Sequence, residues 1–400
     1  MNKLAVIAAA LSVVTATVAS AVVAPAAFAG PPQWTIQATT NPTASDGLQA
    51  VSCPSASACL AVGATGSNPT AAIAESWNGT SWTTTTPSPA PVKVASSSLQ
   101  AVSCTSATAC MAVGFWDDGS RAQHILAESW NGTGWTVYFV PDPAGSQFPA
   151  LTGVSCTSAT YCEAVGSYFD PATQTNADLA EVWDGQGWAI QPTRAAFSKM
   201  DFELASVSCA SSSSCLAVGH YVSFFGSAAH FATWAEQWDG TSWSGMFPDV
   251  EGTLSNLTGV SCATATADCT TVGEYQDASG TEFPLAERWS GSSWSLQFPA
   301  ASALATGMRL SAVSCPAVTA CMAVGIAHVP AISPGTWVTV AESWNGSTWT
   351  LDNTPNPLGA VMAGLGGVSC PAALVCAGVG EWTSVAAHRP PYATLAERYA

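Results

Sequence analysis

Short apolar segments alternate with runs of Ser, Thr, Gly and Pro through most of this chain, and no stretch after residue 30 keeps a helical apolar period. In one representative stretch, Leu99 to Cys104 and Met111 to Phe115 are rich in Val and Ala, with a small-residue loop between them. Ile125 to Trp130 and Trp135 to Val140 follow, separated by a turn that begins at Asn131-Gly132. Asn-Gly between two apolar runs signals a hairpin in which both central residues take positive φ. The same turn recurs at Asn78-Gly79, Asp184-Gly185, Asp239-Gly240 and Asn345-Gly346, and weakens to Ser290-Gly291. The pattern predicts four short strands, A to D, in each repeat.

The repeat itself is marked by Val-Ser-Cys, at Val51, Val102, Val154, Val207, Val260, Val313 and Val368. Each copy continues with a second cysteine, Val-Gly (Gly378-Val379-Gly380 in the last), Ala-Glu and a paired aromatic. A period of about fifty residues, each unit too small to bury a core alone, is the signature of a stacked or radial array. Four strands per unit make one blade of a propeller. The last copy stops at Ala400 without a fourth strand, while Trp34-Thr35-Ile36-Gln37 near the start matches Trp349-Thr350-Leu351-Asp352. The expected fold is therefore all-β: a seven-bladed β-propeller of four-stranded blades, closed by the N-terminal strand completing the last blade, with no free edge. The blades span 47–87, 98–141, 150–193, 203–248, 256–299, 309–355 and 364–400 plus 33–42.

Residues 1–29 read as a secretory signal peptide: Asn2-Lys3, an apolar run from Leu4 to Val23, and Ala27-Phe28-Ala29 as cleavage site. The propeller then occupies 30–400. No cysteine follows the site, so no lipid anchor is expected, and no other stretch could span a membrane. The fourteen cysteines of a secreted chain fall as one pair per repeat: Cys53/Cys59, Cys104/Cys110, Cys156/Cys162, Cys209/Cys215, Cys262/Cys269, Cys315/Cys321 and Cys370/Cys376. Disulfides within each repeat are the simplest pairing, each a clamp on the loop between strands A and B. Metal binding would need histidines recurring beside the cysteines, and none do.

The pattern Val-Ser-Cys, Cys, Val-Gly, Ala-Glu-x-Trp-Asn-Gly-x-x-Trp resembles secreted β-propeller repeat proteins of actinobacteria, a group that implies the fold but no activity. The turn in Ser76-Trp77-Asn78-Gly79-Thr80-Ser81-Trp82 is also similar to a shortened Asp-box of sialidase-type propellers, one residue short. Trp183-Asp184 and Trp238-Asp239 look like the Trp-Asp of WD40 blades, but the period is too long and the Gly-His partner is missing. No activity transfers from these likenesses.

A formal charge of -17 argues against nucleic acid, which needs a basic face, and against anionic membranes. Much of that charge is scaffold: Glu75, Glu128, Glu181, Glu236, Glu287, Glu342 and Glu397 recur at one repeat position, which suits a structural hydrogen bond better than catalysis. The singular residues carry more information. Trp116, Trp234, Trp337 and Trp382 are the Trp outside the repeat pattern, and they lie between strands B and C. So do His124, His220, His230, His328 and His388. The B-C and D-A connections share one face of a propeller, opposite the cysteine loops and the Asn-Gly turns. Function concentrates on such loops. The candidate ligand-binding rim is Trp116, Asp117, Tyr168, His220, Tyr221, Glu274, Tyr275, Glu381 and Trp382, bordering the central opening.

The innermost strands carry no charge before Val-Ser-Cys, so Gln49, Gln100, Thr152, Thr258 and Ser311 would line the channel. The rim carboxylates are Asp117, Asp118, Asp170, Glu274 and Glu381. A glycosidase needs two carboxylates about 5 to 9 Å apart, and no serine elbow, zinc motif or phosphate loop is present. The oxygen ligands from Asp170 to Asp178 match no recognised calcium loop. No cofactor and no metal are expected. The reading reached is a secreted, monomeric, non-catalytic binding propeller whose partner is a glycan or an extracellular protein. The rivals are an extracellular glycan hydrolase or lyase using rim carboxylates, and a wall-associated structural protein.

Overall fold

The computed structural model describes residues 32–43, 45–66, 70–87, 94–120, 122–193, 200–225, 228–248, 252, 254–263, 268–330, 336–384 and 391–400. The signal-peptide segment and His388 lie outside the described residues. Gln33–Ala400 form one compact unit. Among the described residues every regular element is a strand, and each Val-Ser-Cys copy opens a run of consecutive antiparallel strands. The runs of copies four and five, and of six and seven, are joined by the single parallel pairings Phe231↔Leu254 and Trp337↔Met362.

Module two, named for the second copy, is Ser96–Ser106, Ala109–Asp117, Gln123–Trp130 and Trp135–Tyr138. The first three strands are longer than the pattern suggested. Cross-strand pairing continues past the apolar run, through Trp116↔His124 and Asp117↔Gln123. Module seven contributes Met362–Ala372, Val375–Thr383 and Ala393–Tyr399. Its fourth position is taken by Trp34–Gln37, antiparallel to Ala393–Tyr399 with Trp34 opposite Tyr399.

The third-to-fourth-strand turns differ from the expected two-residue hairpin. Trp77 pairs with Trp82, so four residues form the loop. Gly79 sits at φ 97°, whereas Asn78 stays out of the left-handed region. The Asn78 side chain organises the turn instead, its Oδ1 accepting from the Thr80 and Ser81 amides at 3.0 Å. Asn131, Asp184, Asp239 and Asn345 repeat this arrangement.

Each cysteine pair is a disulfide between the first two strands of its own module: Cys53–Cys59, Cys104–Cys110, Cys156–Cys162, Cys209–Cys215, Cys262–Cys269, Cys315–Cys321 and Cys370–Cys376, with Cα separations of 3.9–4.1 Å. The pairing is as expected. Cys59, Cys110, Cys162, Cys215, Cys269, Cys321 and Cys376, the second members, are buried at 1–6% exposure. The cause is their register. Each sits in the second strand directly opposite the repeated aromatic of the third, as Cys59 does to Trp77, Cys215 to Trp238, Cys269 to Trp289, Cys321 to Trp344 and Cys376 to Tyr399. These sulfurs therefore pack inside the apolar clusters as small hydrophobes and take no part in a surface site.

The Ser of Val-Ser-Cys joins modules. Ser52 Oγ accepts from the Cys104 amide, and Ser103, Ser155, Ser208, Ser261 and Ser314 repeat the bond to the following module at 2.9–3.0 Å. Ser369 accepts likewise from Cys53 at 2.9 Å.

The core is a series of clusters between neighbouring modules. Leu99, Val102 and Ala112 of module two, for example, pack on Leu60, Val62 and Ala74 of module one. The repeated Trp pack in tilted pairs across the turns, with ring centroids 5.2–5.9 Å apart, and Trp34–Tyr399 forms the corresponding pair at 5.5 Å. The repeated Glu are fully buried. Backbone amides of other segments donate to two of them, Thr40 to Glu75 and Ala300 to Glu342 at 2.7 Å.

Candidate functional site

Every innermost strand carries a bulge between its Leu and the residue two places on, as at Leu48/Ala50, Leu151/Gly153 and Leu365/Gly367. The extra residue leaves the ladder and turns inward. Gln49, Gln100, Thr152, Thr258 and Ser311 thereby line a central recess of about 210 Å³, together with backbone from all the innermost strands. The lining carries no ionisable side chain, as the sequence suggested. Thr152 and Thr258 spend their hydroxyl protons on the carbonyls of Leu204 and Leu310 in the next module, both at 2.8 Å.

The aromatic candidates sit away from this recess. Trp116, Tyr168, Tyr221, Tyr275 and Trp382 occupy one register position, two residues past Val-Gly in the second strand, and are half-buried in the clusters between modules. Tyr221 stacks on Phe202, and Tyr275 on Phe283. Asp117 stands one residue later, whereas His220, Glu274 and Glu381 stand one residue earlier and face the following module. Burial pushes the His220 imidazole down, against Glu203 and Asn256, which favour its charged form. Burial raises the Glu274 carboxyl, offset in part by Arg309, and raises Glu381. Asp117, Glu274 and Glu381 belong to three different modules. Among the described residues no three His, Cys, Asp or Glu gather where they could hold a metal ion.

Trp234 departs furthest from its expected place on a rim loop. It lies in the third strand of module four, Ala228–Trp238, with 1% of its surface exposed. Its Nε1 donates to Asp178 Oδ2 of the preceding module at 2.8 Å. Burial drives the Asp178 carboxyl well above the usual range, and the neighbouring Glu236 carboxyl adds to this. His220 and His230 are likewise in strand, paired with Thr233 and Ser223.

A second recess, of about 640 Å³, opens between the second-to-third-strand hairpin of module two and the connection to module three. His124 stands on its wall. The ring stacks on Trp116 at 4.6 Å between centroids and 28° between planes. Its Nδ1 is 2.6 Å from Asp142 Oδ2, while Asp142 Oδ1 accepts from the Ile125 amide at 3.1 Å. Asp118 Oδ2 lies 4.0 Å from Nε2, and Ser120 holds the Asp118 carboxyl below its ordinary range through side-chain and backbone hydrogen bonds. Gln123 Nε2 reaches the Pro149 carbonyl at 3.1 Å and ties the two walls together. Phe148, 60% exposed, projects from the far wall at φ 53°, a left-handed conformation uncommon for a bulky residue. The sequence flagged Trp116 and Asp118, and Asp142-Pro143 repeats the position of Asn356-Pro357 and Asn41-Pro42, whose Asn side chains accept from the Thr339 and Thr394 amides as Asp142 does from Ile125.

No family model matches the chain, and no curated protein matches it. Solved structures do. YCF48 bound to D1 peptide aligns with a TM-score of 0.53 and 14% identity, over 94% of this chain and 99% of that one. The fold is that of a β-propeller. The sialidase of Trypanosoma rangeli, solved with sialic acid, aligns at a TM-score of 0.46 and 11% identity, over 89% of this chain and 54% of that one. The fungal Aleuria aurantia lectin, a six-bladed propeller with a fucose recognition mode, gives 0.35 and 12%, over 66% and 77%. These identities speak to the fold and not to activity.

Proposed function

We propose that this chain is a secreted, monomeric, non-catalytic binding propeller. It has seven blades closed by the N-terminal strand, over residues 30–400 after removal of a signal peptide at 1–29. Its partner is an extracellular glycan or protein, bound on the face made by the second-to-third-strand hairpins and the intermodule connections. The seven disulfides support the compartment, since such bonds form and persist where conditions are oxidising. The Ser369–Cys53 bond and the Trp34–Tyr399 pairing support the closure.

The observation that carries the binding reading is the one-sided distribution of exposed apolar side chains. Among the described residues, six of the ten large exposed hydrophobics are Phe139, Phe148, Phe247, Phe298, Leu304 and Leu358. All six lie at or beside the connections between modules, on the face that also holds the 640 Å³ recess. Apolar side chains gathered on one face beside polar recesses mark binding surfaces. The opposite face presents the short loops between first and second strands and self-satisfied Asn and Asp turns. In this proposal the rim set Trp116, Asp117, Tyr168, His220, Tyr221, Glu274, Tyr275, Glu381 and Trp382 shapes the binding face from the seams between modules.

A glycan array and a polysaccharide pull-down with the oxidised, secreted protein test this directly. Retention of a glycan or an extracellular protein, weakened by substitutions on the connection face and not at the Asn-Gly turns, is the expected result. Loss through the turns alone would put the site on the other face.

A further inference from the structure

We infer that a cavity between modules two and three, on the face of the cysteine loops and the Asn and Asp turns, is a docking pocket for an arginine side chain of a basic protein partner. It lies opposite the connection face and is independent of what binds there. The molecule carries its own template for such a contact between modules seven and one. There Arg398, one residue before the third-strand aromatic Tyr399, reaches into module one. Its guanidinium carbon lies 4.7 Å from the centre of the Trp77 ring, and its Nη2 donates to the Ala56 carbonyl at 3.0 Å. A guanidinium on an indole sets a cation against the negative face of a ring, while its planar donors reach acceptors at the edge.

The same three positions in modules two and three are Ser129, before Trp130, then Trp183, and Ala159, three residues before Cys162 as Ala56 is before Cys59. The indole and the loop carbonyl are kept, and a short hydroxyl replaces the arginine. All three residues line a cavity of about 170 Å³. Tyr138 adds an aromatic wall. Its ring lies against Trp183, with centroids 4.6 Å apart, and its hydroxyl pairs with Ser129 Oγ at 3.1 Å. In the same position Thr85, Gln191 and Gln297 accept instead from the next module's Trp Nε1. Tyr138 makes no such bond, and Trp188 Nε1 is buried with no acceptor. Ala159 O accepts from Trp183 Nε1 at 3.3 Å, and a carbonyl oxygen has a second lone pair for a ligand donor.

Size and charge choose the occupant. The volume is several times the about 30 Å³ share of one water and below the about 300 Å³ at which small-molecule sites begin. It suits one side chain presented by a larger partner. The lining holds no Asp, Glu, Lys or Arg, and Arg121 is the one Lys or Arg between residues 94 and 193. That residue follows Asp117, which stands eight residues along its strand from the lining residue Ala109, about 26 Å at the rise of a β-strand. Asp184, next to Trp183, is held below the ordinary carboxylate range by its turn hydrogen bonds and so stays ionised. A chain of net charge -17 draws a basic partner. The planar, weakly hydrated guanidinium fits a ring-walled slot better than the compact ammonium of lysine.

The test titrates the oxidised, secreted protein by calorimetry with an N-acetylated, C-amidated Gly-Arg-Gly peptide and its lysine and citrulline counterparts. Citrulline keeps the planar shape of arginine without its charge. We expect the arginine peptide to bind at one site and the other two at least fivefold more weakly. Ser129→Arg puts the chain's own guanidinium in the pocket and should abolish binding with no loss of melting temperature. Ser76→Arg makes the same charge change at the matching position of module one and should leave binding unchanged. Arg398→Ala vacates the place above Trp77 and should add a second site. If Ser129→Arg melts early, the site count in Arg398→Ala decides alone. Loss of binding in both arginine variants, or equal binding of the lysine peptide, reduces the contact to charge attraction and overturns the pocket. Full binding in Ser129→Arg, a single site in Arg398→Ala, or no binding of the arginine peptide overturns it as well.

Discussion

The Ser369 hydroxyl accepts a hydrogen bond from the Cys53 amide at 2.9 Å, across 316 residues of sequence. Each earlier Val-Ser-Cys serine makes the same bond to the next module. Removing the hydroxyl strands a half-buried amide, at a cost of about 1–3 kcal/mol. Ser369→Ala should therefore lower the denaturation midpoint about as much as Ser208→Ala does. Deleting residues 33–42 should cost far more and promote aggregation, because it bares the edge of Ala393–Tyr399. Parent-like melting of that truncation would exclude the N-terminal strand from closure.

Non-reducing peptide mapping should recover the seven short-range disulfides and no bridge between modules. Each closes a loop of six or seven residues, worth about 2 kcal/mol in the chain-entropy model. Reduction should then lower the melting temperature by an amount that partial reduction divides into comparable steps. One dominant step would mean that a single bridge holds the fold.

The repeated glutamates predict an unusual pH profile. Burial raises Glu75 and Glu342 to about 7, and Glu181 and Glu397 to about 8, against an ordinary value of 4.5. Their folded forms hold protons that the unfolded chain has already released. Their stabilising contribution is full below 4.5 and is lost as pH rises towards 7 to 8. On the acid side, Asp184 and Asp239 are held below the usual range by turn hydrogen bonds and lose their contribution as pH falls past 3.8. The melting temperature should peak in mild acid and decline into the alkaline range. Glu181→Gln should flatten that decline, and a decline of parental slope in this variant would contradict the assignment.

Trp234→Phe keeps most of the ring volume and removes the donor to Asp178. With the indole donor gone and only the Glu236 carboxyl beside that buried group, a loss of about 1–3 kcal/mol is expected by chemical denaturation. Trp234→Ala should cost about 3–5 kcal/mol through the cavity as well. A change below about 0.5 kcal/mol in Trp234→Phe, within the range of a surface substitution, would show the bond to be dispensable.

Strands, disulfide pairing and the partnership of Trp34–Gln37 with the last module were legible because they are local or repeat at a fixed period. Cys104 and Cys110 pair most simply across their own short loop, and Trp34-Thr35-Ile36-Gln37 carries the pattern of a missing strand. What faces what was not legible. Alternation tells which residues share a side of a strand, but the bulge in every innermost strand slips the register by one. Docking of the next module then decides whether a side chain meets solvent or a neighbour. This is why Trp234, a singular residue beside a hairpin, is buried on Asp178, and why Trp116 and Trp382 pack into seams and not around the central recess. The burial of Cys215 and Cys321 has a different origin, their register opposite Trp238 and Trp344 within their own modules. His124 and Asp142, by contrast, meet within module two, where the pairing of Gln123–Trp130 with Trp135–Tyr138 carries on towards Asp142 as it does from Thr339 to Asn356. Local pattern chose the elements, and contacts between modules chose the site.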